Sequence, residues 1–135
     1  MKIIINLSLL MFAILTSSEV ISAPIVDYAL VGKWNGERGP ETTCEYLAWT
    51  STFTEDGKFS ITFYNDHERK EEIATEGGVW QSGNGSSKLI TKGVPTPEIY
   101  LYTIIDADTI KYVNTVRDPL ADCKDDYEFT EHRVK

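Results

Sequence analysis

Apolar residues in this chain recur at every second position in short runs, and beyond the N-terminal stretch no segment repeats with the period of an amphipathic helix. Leu47, Trp49, Ser51 and Phe53 share one face of an extended segment, and Phe59, Ile61 and Phe63 share one face of the next. Between them Thr54, Glu55, Asp56 and Gly57 predict a hairpin turn in which glycine supplies a positive φ. An earlier strand places Leu30, Gly32 and Trp34 on one side and Ala29, Val31 and Lys33 on the other.

The remainder reads in the same period. Asn65, Asp66 and His67 break the third strand, and the charged run 68–72 is a solvated strand or loop leading to Ile73. Gly77 and Gly78 predict a bulge or sharp bend before Val79, Trp80 and Gln81. Gly83, Asn84 and Gly85 turn the chain into 88–92, and Pro95 and Pro97 mark an edge or loop where a missing N–H does no harm. The segment 99–105 is apolar on both faces and is expected to be covered on both. Asp106, Ala107 and Asp108 turn into 109–116, and 127–134 ends the domain. Eight or nine strands follow in meander order. The economical fold is all-β, a small antiparallel up-and-down barrel of about eight strands, because closure removes exposed edges. A two-layer sandwich is the alternative.

Residues 1–22 stand apart: Lys2, the apolar run from Ile3 to Leu15 and the small polar residues after it have the make-up of a secretory signal peptide. Cleavage is expected after Ser22, since a cut after Ala23 would put Pro24 at the scissile bond. Residues 23–135 then form the one domain, exported to the periplasm or secreted, with membrane attachment only through an uncleaved leader. Cys44 and Cys123 both fall in this part, and two cysteines allow one intramolecular bridge, which an oxidising compartment favours. A loop of that length is worth roughly 4–5 kcal/mol in the chain-entropy model.

The net charge of -8 is unchanged by loss of the leader, because Lys2 and Glu19 leave together. An acidic surface repels phosphate backbones, so nucleic acid is not an expected partner, whereas a basic protein is favoured. The chain has no nucleophile beside an evident base, no C-x-x-C and no phosphate-cradling glycine loop. His67 falls in a turn, and His132 on the outward parity of the last strand. Neither an enzyme, a cofactor nor a metal site is expected.

Gly32, Lys33 and Trp34 form a G-x-W element near the start of the domain, and Arg133 lies on the closing strand with the parity of Tyr127 and Phe129. In this pattern the domain resembles the lipocalin-like, or calycin, barrels. The resemblance implies that Trp34 packs across one end of the barrel and that Arg133 covers it. Such a cation–π contact is worth ~0.5–2 kcal/mol.

Two functions are open. An eight-stranded barrel is either filled by its side chains or holds one small ligand. The expected inward set is Trp34, Trp49, Phe53, Phe59, Phe63, Trp80, Tyr112, Tyr127 and Phe129. The resemblance implies a small, largely apolar ligand, with contacts expected among Trp49, Phe59, Phe63 and Tyr112. In the alternative, a packed barrel works through its loops as an envelope inhibitor or immunity protein. It would then present Asp118, Asp122, Asp125 and Asp126, beside Cys123, to a basic lytic enzyme. These carboxylates lack the spacing of a calcium loop.

Overall fold

The computed structural model describes residues 23–39, 44–116 and 128–135. A 3-10 turn, Tyr28–Leu30, precedes eight strands: β1 Gly32–Arg38, β2 Leu47–Phe53, β3 Lys58–Tyr64, β4 Glu72–Gly83, β5 Ser86–Thr91, β6 Glu98–Asp106, β7 Thr109–Val116 and β8 Glu128–Arg133. Each pairs antiparallel with the next, and β8 returns to β1, so the sheet is a closed up-and-down barrel rather than a sandwich. Closure aligns Trp34 with Arg133 and Gly36 with Glu131.

The tight turns follow from residue type. Asn84 and Gly85 both take positive φ, 53° and 77°, as a two-residue hairpin matching strand twist requires. Gly57 does the same at φ 80° in the predicted 54–57 turn. Meander order sorts the connections. The β2–β3, β4–β5 and β6–β7 turns lie at one end of the barrel, and the longer β3–β4 and β5–β6 connections lie at the other.

The chain before β1 straps the tight-turn end. Ser82 N–H donates to the Ile25 carbonyl at 3.0 Å, and Asp27 N–H donates to Ser82 Oγ at 2.8 Å. Tyr102 OH donates to Asp27 Oδ2 at 2.7 Å. Burial and this bond push the Tyr102 hydroxyl up to about 12. Beneath the strap lies the apolar core of Leu30, Trp34, Phe53, Phe59, Trp80, Leu89, Tyr102, Ile110 and Tyr112, with Tyr100 and Phe129 packed against it.

Three expectations need correction. The first strand begins at Gly32 rather than Ala29, because residues 28–30 coil into the 3-10 turn capped by the Asp27 side chain, and it runs on to Arg38. Gly77 and Gly78 make no bulge. The β3–β4 and β4–β5 ladders continue through them in register, and a Cβ on Gly78 would meet the Ile90 carbonyl oxygen at 2.0 Å. The apolar run 99–105 is covered on one face only, leaving Leu101 and Ile105 51% and 58% exposed. A single-layered barrel wall has one dry side, so outward apolar residues there satisfy strand preference without burial. The strand count, eight, falls within the expected eight or nine, with 72–83 forming one strand.

Candidate functional site

Closure at the strapped end is built from three residues. Gly32 has φ 134°, and a Cβ placed on it would lie 2.6 Å from Nη1 of Arg133, so no other residue fits without moving the guanidinium. The guanidinium carbon sits 4.2 Å from the centroid of the Trp34 ring. Its nitrogens donate to the carbonyls of Val31, Ala29 and Ala107 at 2.9, 3.2 and 3.1 Å. Trp34 is fully buried, and its indole N–H donates to the Leu30 carbonyl at 2.9 Å. Gly32, Trp34 and Arg133 are thus brought together as expected, and they are structural.

The other half of the interior is different in kind. Along β8 the inward parity runs Phe129, Glu131, Arg133, which puts a carboxylate inside the barrel. Glu131 is 3% exposed, and its Oε1 accepts from Trp49 Nε1 and from Ser51 Oγ, both at 2.8 Å. Its Oε2 is buried without a partner, as are the Tyr112 hydroxyl and Asn114 Oδ1. Desolvation pushes the Glu131 carboxyl above the usual glutamate range, and the bonds from Trp49 and Ser51 only partly oppose this.

Four rings surround these atoms. Phe129 stacks on Tyr112 at 5.1 Å and meets Trp49 and Tyr100 edge-on at 5.3 and 5.7 Å, while Tyr100 meets Tyr112 at 6.0 Å. Gly36 makes room for one of them. A Cβ there would fall 2.4 Å from the Trp49 indole, so the glycine lets this ring lie flat across β1. Tyr100 OH donates to Glu98 Oε2 at 2.6 Å. Burial first, and then Glu98, Glu131 and Glu76, push the Tyr100 hydroxyl well above its ordinary value. Burial followed by Glu131 does the same to Tyr112. Arg38 brings the opposite sign to the inward face of β1, with Nε donating to the Glu45 carbonyl at 2.9 Å.

On the outer wall near this end, Glu37 Oε2 accepts from Tyr46 OH at 2.9 Å and lies 2.7 Å from His67 Nδ1. The bond with His67, then that from Tyr46, holds the Glu37 carboxyl below its usual range. His67 and His132 are both exposed. Among the described residues no group of three His, Cys, Asp or Glu is placed to hold a metal ion.

Of the four expected ligand contacts, the structure groups Trp49 and Tyr112 with Glu131. Phe63 pairs in register with Trp49 and is half-buried toward the long-loop end. Phe59 belongs elsewhere, stacked at 6.2 Å on Phe53 in the strapped core. Asp118, Asp122, Asp125, Asp126, Cys123 and Tyr127 lie outside the described residues, as does the leader 1–22. Cys44 is described, and no described cysteine is free. Glu131, Tyr100 and Asn114 were missed by sequence reasoning. The signal for Glu131 was present, because the alternation that turns Arg133 inward turns Glu131 inward too. No family model matches the chain, nor does any curated protein or solved structure.

Proposed function

We propose that this chain is an exported, non-catalytic binding protein of lipocalin-like type, whose barrel receives one small molecule at the end carrying its longer connections. The observation that carries the reading is Glu131: a carboxylate with one oxygen buried without a partner and the other bonded to Trp49, whose ring meets Phe129. Such groups are costly to bury in a merely structural core. Binding sites characteristically combine apolar walls with a few convergent polar groups. The inward residues of this half, Ile61, Phe63, Glu76, Glu98, Tyr100, Asn114 and Phe129, are only partly buried, which supports access from the long-loop end.

The ligand in this reading is therefore not purely apolar; a polar group anchors it. Export through the leader 1–22 and a Cys44–Cys123 bridge complete the proposal, and the absence of a free cysteine among the described residues supports the bridge. Native mass spectrometry of the mature protein from its source tests the reading. A discrete small-molecule adduct lost on unfolding is expected. A bare mass, together with failure of every charge class of small probe to bind, would overturn it.

A further inference from the structure

We infer that the ligand of this interior site is an organic cation, a protonated amine whose N–H groups are met by Glu131 Oε2 and the Tyr112 hydroxyl while its body lies against Trp49, Tyr100, Tyr112 and Phe129. The inference rests on the binding reading above and names the chemistry of its ligand. Three observations carry it.

The first is hydrogen-bond capacity. A carboxylate oxygen accepts and does not donate, and a tyrosine hydroxyl can accept as well. Of the five buried side-chain atoms without a partner among the described residues, Glu131 Oε2 and the Tyr112 hydroxyl lie on the adjacent strands β8 and β7, and an ammonium, with up to three donors, can meet both. The second is charge. By strand parity Glu76, Glu98 and Glu131 face inward together with Arg38 and Arg133, the latter held in the Trp34 closure, so on the described strands the inward acidic side chains outnumber the basic. The whole chain carries -8, which raises the local concentration of cations rather than anions. The third is the wall. Rings from β2, β6, β7 and β8 converge on the carboxylate, and aromatic faces attract a desolvated cation.

Burial alone disfavours the charged form of Glu131. An ammonium at Oε2 supplies the missing counter-charge and favours the carboxylate, so ligand and site would stabilise each other's ionised forms.

Isothermal titration of the mature chain with ring-matched probes of different charge tests this: tryptamine, 3-methylindole and indole-3-acetate, with butylamine against butyrate as a smaller pair. The amine of at least one set should bind ~10-fold or more tightly than its neutral or anionic counterparts. Glu131→Gln, which keeps the side chain's shape, should bring that preference to within about threefold. Neutral or anionic probes binding as well as the amines would overturn the cation while leaving a binding barrel standing. Failure of all five probes would overturn the cation, and the binding reading would fall only if the native protein also carried no adduct. An amine preference that survives Glu131→Gln would overturn the role of this carboxylate. If that variant does not fold, the wild-type comparison still decides the cation. Tyr112→Phe, which removes only the hydroxyl, should then weaken the amine ~3-fold or more, and an unchanged affinity would overturn the assigned contacts.

Discussion

Trp34 and Trp49 stand on neighbouring strands, both face inward, and both donate their indole N–H, yet to partners of opposite kind. Trp34 donates to a backbone carbonyl at 2.9 Å under a guanidinium, and Trp49 donates to a buried carboxylate at 2.8 Å. Around Trp34 the indole N–H and the three nitrogens of the covering guanidinium are all engaged, and its neighbours Leu30, Phe53, Phe59 and Ile110 are almost entirely buried. Around Trp49, Glu131 and Ser51 are as deeply buried, whereas Phe63 and Phe129 are only half-buried and Glu131 Oε2 has no partner. One barrel thus divides its interior between a half that holds the fold together and a half whose polar groups are left for something else to satisfy. Burial and hydrogen-bond satisfaction, read together, separate the two where aromatic content does not.

Truncation should expose the contrast most strongly. Trp34→Ala is expected to cost ~3–5 kcal/mol in urea unfolding, the range for a fully buried large aromatic. Phe63→Ala, at the half-buried end, should cost clearly less, and equal losses would dissolve the distinction. Arg133→Ala removes the cation–π contact and three donors, with an expected loss of ~2–3 kcal/mol. Lysine at this position should recover only part of it, since one ammonium cannot span three carbonyls. Gly36→Ala should cost ~1–3 kcal/mol by pushing the Trp49 indole off β1. It should also abolish small-molecule binding while the strapped half stays intact, as near-ultraviolet circular dichroism would show.

Glu131→Gln should work in the other direction. The folded-state pKa of Glu131 is raised, so the native chain holds a proton that the unfolded chain has already released. Stability of the wild type therefore falls as pH rises from the ordinary glutamate range through the raised value, and the variant should lack that decline. Above it, the ligand-free variant should melt about 2–5 °C higher than the wild type, as removal of an unpaired buried charge allows. A lower melting temperature would mean that the carboxylate belongs to the scaffold. The smallest effect is expected at the outer wall. His67→Ala breaks the exposed pair with Glu37 and should change stability by less than ~0.5 kcal/mol.

The closing residues and most strand positions were legible in the sequence because they depend on local rules. Alternation places Trp34, Trp49 and Phe53, turn chemistry places Gly57 and Gly85, and the parity of Arg133 carries it to the barrel interior. The binding half was only half legible. Trp49 and Tyr112 stood out as bulky inward residues, but Phe59 stood out equally and belongs to the strapped core. Nothing local distinguishes the two ends of a strand. Glu131 was passed over because an acidic residue between polar neighbours reads as solvent-facing until closure buries it.

The sequence by itself determined that this chain alternates, turns tightly and closes, since φ, side-chain parity and apolar periodicity act over a few residues. Only the tertiary structure decided which end is strapped and where the interior becomes polar. That outcome depends on residues far apart in the chain, Asp27 with Tyr102 at one end and Trp49 with Glu131 at the other, reaching each other across the barrel. A carboxylate becomes expensive, and therefore informative, once the sheet around it has removed its water.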